Sequence, residues 1–372
     1  MEPSRRRILA SVFRGAGLMA TGVSGFEAPL ANAAALARVE SQKKVFIDPA
    51  TEYQVTRWTE DTADSHLPID PNRALSSNDS QLLYACNRGG TWQPYLLDLK
   101  RGISQQTGAP RDLHPHSLAM LRDGKDVVFL DGSAFVRNEI RRGRMRELYR
   151  SPEGWRSTGH LLLAQDDRMA AVMERRGAVT RIVFVDPSSG KSREVMRTES
   201  GDLMPLGFHQ RFGLLLLNTQ HMPSLVGVPN APALPNFPKG EVLQARWDRS
   251  GRILMYLIRT RDKGVERCQL MEYDLDAGSH RLIANTTKFA TFSANADASV
   301  FVGASSSKAQ PLLLLLLRVT RREFSLMEHQ SSAPASVNPF FSNDSQTLYF
   351  ESDRLGKSSV YSVNIRGLVE KT

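Results

Sequence analysis

The chain is short of the residues that would staple or anchor it. Only two cysteines, Cys86 and Cys268, occur in 372 residues, so no multi-disulfide framework organises the fold. No apolar stretch approaches the ~20 residues that a membrane-spanning helix requires. The leucine run Leu312 to Leu317 stops at six between Pro311 and Arg318; it reads as a fully buried inner strand, and no membrane span is expected. Lysine supplies only 11 of the 48 basic residues, and no basic run is interleaved with aromatics, which disfavours nucleic acid as a partner. The G-x-S-x-G elbow, the H-E-x-x-H helix and the P-loop are all missing, so none of the hydrolase, zinc-protease or nucleotide-binding chemistries that those motifs carry is indicated.

What the chain does have is one turn signal repeated seven times. A short polar turn follows an apolar stretch and precedes a β-rich one at Asn78-Asp79-Ser80, Asp123-Gly124-Lys125, Asp166-Asp167-Arg168, Arg211-Phe212-Gly213, Arg249-Ser250-Gly251, Asn295-Ala296-Asp297 and Asn343-Asp344-Ser345. Steps between the first residues are 45, 43, 45, 38, 46 and 48. A period of about 40 to 50 residues with strands between the turns marks a β-propeller. The expected fold is all-β, a seven-bladed β-propeller.

The first and last repeats share one grammar, 265 residues apart. Gln81 to Cys86 is an apolar strand ended by Asn87-Arg88-Gly89-Gly90, and Thr91 to Leu99 follows. Gln346 to Phe350 leads to Ser352-Asp353-Arg354-Leu355-Gly356, then Ser359 to Ile365. Lys44 to Arg57 resembles the late strands of a blade, whereas the last repeat supplies its inner ones. Because an open blade would expose unpaired strand edges, the N-terminal strand is expected to complete the C-terminal blade. A ring of this kind has no edge for a second subunit to cover, so a monomer is expected.

Ser4-Arg5-Arg6-Arg7-Ile8-Leu9, the mildly apolar Gly15 to Phe26 and Ala31-Asn32-Ala33 follow the order of a twin-arginine signal peptide with its cleavage site. Residues 1–33 are therefore assigned to export, 34–43 to a linker and 44–372 to the propeller, with a periplasmic or secreted location. Removing the signal takes away four arginines and two glutamates, which lowers the formal charge from +9 to +7. Arginine forks suit carboxylates and phosphates, although arginine-rich usage also serves solubility. Cys86 and Cys268 fall in the first and fifth blades, too far apart for a disulfide, and are expected as free, buried thiols.

The Arg/Gly turns at Asn87 to Gly90 and Ser352 to Gly356 resemble the repeat of TolB-type propellers, over essentially the whole mature chain. More narrowly, Asp48-Pro49-Ala50-Thr51, Val55-Thr56-Arg57-Trp58-Thr59, Ser65-His66, Pro71-Asn72 and Tyr95 to Leu99, with Glu147-Leu148-Tyr149 and Ser151 to Trp155, resemble the oligogalacturonate lyases. That resemblance implies β-elimination on an acidic, uronate oligosaccharide, with a divalent metal and a guanidinium stabilising the enediolate-like charge. It also implies a manganese site of His and Gln side chains from the last blades, two of the histidines in an H-x-H-P pattern.

The matching stretch here, Ala333 to Ser342, puts Ser336 and Asn338 where the resemblance implies the paired histidines. Ala333 stands near the implied Gln, and Gln244 or Ala245 near the implied fifth-blade His. Such residues do not replace imidazole at a transition metal, so no metal or other cofactor is expected. The one H-x-H pair, His114-Pro115-His116, lies in the second blade; if extended, both rings would share a face, and otherwise it is a polar loop. For the ligand the candidates are His66, Arg73, Arg88, Arg246, His329 and Arg354, with the turn arginines Arg88 and Arg354 equally suited to bonding blade carbonyls. No catalytic residue is assigned. Two functions remain open: an exported lyase-like propeller that takes an acidic oligosaccharide, or a non-catalytic TolB-type propeller that binds a periplasmic protein. The proline-rich stretch from His221 to Gly240 reads as a loop overhanging the mouth.

Overall fold

The structure, a computed structural model, describes residues 36–369 apart from 200–202, 210–212, 218–222, 228–233, 235–237, 249–251 and 288. The proposed signal, residues 211–212 of the fourth turn, His221, residues 228–233 and 235–237 of the proline-rich stretch and the turn at residues 249–251 lie outside the described residues; Pro223–Val226, read as part of a loop, is instead the third strand of the fourth sheet. Strands form seven antiparallel sheets in chain order, each a blade. The chain is a seven-bladed β-propeller, and among the described residues the only helical pieces are the single 3₁₀ turns Pro71–Arg73 and Pro334–Ser336.

The repeated turn has one physical cause. Among the described residues, an Asx side chain in five blades accepts the backbone N–H two residues on: Asn78 from Ser80 (3.2 Å), Asp123 from Lys125 (2.9 Å), Asp166 from Arg168 (3.1 Å), Asp297 from Ser299 (3.0 Å) and Asp344 from Gln346 (3.0 Å). The residue between them takes the left-handed conformation, with φ of 53° at Asp79, 64° at Gly124, 60° at Asp167, 54° at Ala298 and 59° at Ser345. Asx residues tolerate and template this turn. The equivalence makes Asp297 and Asp344, rather than Asn295 and Asn343, the leading residues of the last two turns.

Seven apolar clusters lie between consecutive blades. Leu312–Leu317 shows how a run of one residue type serves two of them. Side chains alternate across a strand, so Leu313 and Leu315 pack between blades six and seven while Leu314 and Leu316 pack between blades five and six. This strand is the third of its blade, not the inner one as the run suggested. Cys86 and Cys268 are free and buried in separate clusters.

The last sheet combines Phe340–Phe341, Thr347–Ser352 and Ser359–Asn364 with Gln54–Arg57 and Lys44–Ile47 from the N-terminal side, Tyr361 lying opposite Arg57. Trp58 donates its indole N–H to Ser362 Oγ at 2.8 Å and packs in the cluster between the last and first blades. The stretch read as a linker contributes structure too: Arg38–Val39 pairs with Ser104–Gln106 as a fifth strand of the first sheet.

Candidate functional site

Inner strands of four blades are bulged, with register shifts between Ser157 and Leu161, Pro205 and Gly207, Val242 and Gln244, and Phe289 and Thr291. A bulge turns a side chain out of the regular alternation. The first blade goes further. After the inner strand Ser65–His66 the chain leaves the sheet and rejoins it at Leu75, opposite Leu82. In between, the Ile69 N–H donates to His116 O at 3.0 Å, and Asp70 caps the turn Pro71–Arg73. Ile69 packs against the cluster between blades three and four, which carries this excursion across the ring's interior.

Leu67 opens the excursion and organises the polar groups around it. Its N–H donates to Glu351 Oε1 at 2.7 Å, and its carbonyl lies 3.3 Å from His116 Nδ1. Since a carbonyl only accepts, Nδ1 carries the proton in that bond. Glu351 Oε2 lies 2.9 Å from His66 Nδ1. The His66 ring stands 4.5 Å from His116 and 5.0 Å from Trp92, centroid to centroid. Glu351 is only 4% exposed, whereas one side of His116 faces solvent. The concave setting lowers the pKa of His116 through desolvation; Glu351 opposes that shift and His66 adds to it. His160, beside the glycine bulge of the third blade, is lowered by burial first, with His116 and His114 contributing.

On the opposite flank, Arg246 of the inner strand Glu241–Trp247 donates to Phe292 O at 3.2 Å and to Asn338 Oδ1 at 2.9 Å. Asn338 in turn donates to Pro68 O at 3.3 Å. The path His66, Leu67, Pro68, Asn338, Arg246 is therefore continuous and links blades one, five and seven. Burial pulls the Arg246 pKa down and Asp70 partly offsets it. Among the described residues no carboxylate lies within ion-pair distance of this guanidinium.

Of the six candidate residues, the structure brings His66 and Arg246 to this interior site. Arg73 is buried, its guanidinium bound to Asp167 Oδ1 at 2.7 Å and to Ala164 O. Arg88 pairs with Glu60 at 3.3 Å and covers the Tyr95 ring. Arg354 donates to Glu328 O at 3.3 Å and lies over Phe46. His329 is fully buried, with Nε2 3.0 Å from Ser305 O and Nδ1 accepting from the Ser331 N–H at 3.0 Å. These four make structural bonds within and between the blades, Arg73 reaching from the first blade to the third and Arg354 from the last to the sixth. His114-Pro115-His116 is a turn, not a strand, with the Ser117 N–H on His114 O at 3.0 Å; His114 packs over Gly159 while His116 turns to Leu67. Glu351 and Trp92 were not singled out in the sequence, and Asn338 was noted only as standing where the resemblance implies a metal-binding histidine. For Glu351 a signal existed: aligning Gln346 to Glu351 with Gln81 to Cys86 puts a carboxylate where the first blade has a buried cysteine.

No protein-family model and no curated protein matches the chain. Solved structures do. An oligogalacturonate lyase in complex with manganese superposes with a TM-score of 0.76 at 19% identity, over 88% of this chain and 97% of that one. An oligogalacturonate lyase from Vibrio parahaemolyticus gives 0.75 at 16% identity, over 89% and 98%. TolB from Acinetobacter baumannii gives 0.44 at 14% identity, over 77% and 64%, too loose a superposition to carry an argument. At these identities what is shared is the seven-bladed fold.

The manganese that the resemblance implies does not fit the residues assigned to it. Asn338 Oδ1 accepts from the Arg246 guanidinium, and a second cation there would be repelled. Gln244 Oε1 accepts from Thr291 Oγ1 at 3.1 Å and from the Phe292 N–H at 2.7 Å. Ala333 and Ala245 have no donor atom, and Ser336 is exposed on its 3₁₀ turn.

Proposed function

We propose that this chain is an exported propeller that binds an acidic, uronate-type oligosaccharide at the mouth formed by His66, His116, Asn338 and Arg246. One observation carries the reading: Arg246 is a partly buried guanidinium held by two neutral acceptors, with no carboxylate within ion-pair distance among the described residues. Arg57, Arg73 and Arg88, by contrast, each have an acidic partner. Asp70 offsets only part of the cost of burying this cation, and a ligand carboxylate docking in two-pronged fashion relieves the rest. The shared fold of the two oligogalacturonate lyases supports the ligand class, and the twin-arginine pattern at Ser4 to Leu9 supports export.

Calorimetry of the purified protein with trigalacturonate tests the reading. Saturable binding is expected, weakened at least about tenfold in Arg246→Gln through loss of a charge-assisted pair. Ultraviolet absorbance of the unsaturated product in the same samples separates a lyase from a sugar-binding protein. An absence of both binding and product overturns the reading and leaves a protein partner as the remaining function.

A further inference from the structure

We propose that His66, His116 and Glu351 form a binding site for one divalent transition-metal ion of the zinc class. It is separate from the manganese position that the resemblance implies, and it stands whether or not the mouth takes a uronate. One donor atom from each of the three residues lies within 4.8 Å of the other two. Bonds of ~2.1 Å to a tetrahedral ion put donor atoms ~3.4 Å apart, so rotamer adjustments of up to about 1.5 Å complete the cage. His66 Nδ1 and Glu351 Oε2 are already 2.9 Å apart.

The surroundings are those of a ligand set rather than of three chance neighbours. A metal-bound histidine usually gives its other ring N–H to a carbonyl or carboxylate, which fixes its tautomer. His116 does so through Nδ1 to Leu67 O, leaving the Nε2 lone pair free. The ligating carboxylate should likewise be held, and Glu351 Oε1 is held by the Leu67 N–H, with Ser358 Oγ 3.4 Å from Oε2. One residue, Leu67, thus orients two ligands and is the chain neighbour of the third.

Charge points the same way. Glu351 is a buried carboxylate with no lysine or arginine partner among the described residues; its one ionic contact is His66. Buried carboxylates call for a cation. Two imidazoles and one carboxylate suit zinc, cobalt or nickel better than magnesium or calcium, which prefer all-oxygen cages. Three protein donors with His116 facing solvent leave a fourth position open, the pattern of a reactive rather than a sealed site.

The test uses the purified full chain, freed of metal by chelation and titrated with zinc chloride by calorimetry, with magnesium chloride as the comparison. One zinc per chain is expected, with magnesium much weaker. Cobalt(II) loaded in place of zinc should show the intense visible bands of a four-coordinate ion, which adventitious surface binding does not produce. His116→Ala should weaken zinc at least about tenfold while circular dichroism shows an intact fold. If that variant misfolds, the titration and the cobalt spectrum of the unmutated chain decide alone. Absence of stoichiometric zinc binding, an octahedral cobalt spectrum, or unchanged affinity in a folded His116→Ala chain overturns the proposal. Trigalacturonate calorimetry on the metal-free and zinc-loaded chain reports the sugar reading independently.

Discussion

Asp79 in the first blade and Asn343 in the last are joined by two hydrogen bonds. Asp79 Oδ1 accepts from the Asn343 backbone N–H at 3.1 Å and from its side-chain amide at 2.7 Å. Asp79 Oδ2 takes the Asp344 N–H at 3.2 Å, and the Asn343 amide also reaches Ser76 O at 3.0 Å. The turn that repeats along the chain thus also ties the first repeat to the last. Asp79→Ala removes three acceptor bonds and is expected to cost about 1 to 3 kcal/mol, read as a lower urea midpoint at unchanged m-value, with the mouth unaffected.

His329 gives the fold a pH dependence. Burial lowers its pKa, because protonation would charge a fully enclosed ring and abolish the bond from Ser331 to Nδ1. The unfolded chain has an ordinary histidine pKa of about 6.5, so as the pH falls the unfolded state takes up the proton first. The contribution is complete above that value and is lost below it. Urea midpoints should therefore drop between about pH 7.5 and 5.5. His329→Gln, although less stable at the higher pH, should drop less over the same interval.

Gly190 sits where no side chain fits. Its φ is 78°, and a Cβ there would lie 2.3 Å from the backbone carbonyl oxygen of Leu148, an atom anchored in the sheet. Gly190→Ala combines left-handed strain with a clash against backbone and should destabilise by about 2 kcal/mol or more, measurable by thermal or urea unfolding.

Cys86 and Cys268 occupy different apolar clusters as free thiols. A thiol-specific reagent should label neither in the native protein and both after denaturation, and reductant should leave the unfolding midpoint unchanged. Fast labelling of the native chain would contradict the burial of both sulfurs.

How much of this was legible in the chain depends on how local each cause is. The Asx turns were readable because a side chain bonding its own backbone two residues on needs nothing from elsewhere. Alternating apolar strands between those turns then required neighbouring blades on both faces, and the six leucines of Leu312–Leu317 express that requirement directly. Arg38–Val39 was not readable, since two residues carry no periodicity and their partner strand lies some 66 positions away.

The site divides along the same line. His66 and Arg246 were identifiable as residue types in suitable blades, but Arg73, Arg88 and Arg354 looked equally suitable. Only packing distinguishes them, by bringing Asp167 to one, Glu60 to another and the Glu328 carbonyl to the third. His329 likewise became an interior histidine through Ser305 and Ser331. Sequence by itself determined the seven-bladed β-propeller, since turn chemistry and side-chain alternation act within one repeat. Tertiary structure decided which polar groups meet at the mouth: Glu351, His66 and His116 come from three blades, and the excursion through Leu67 brings them together.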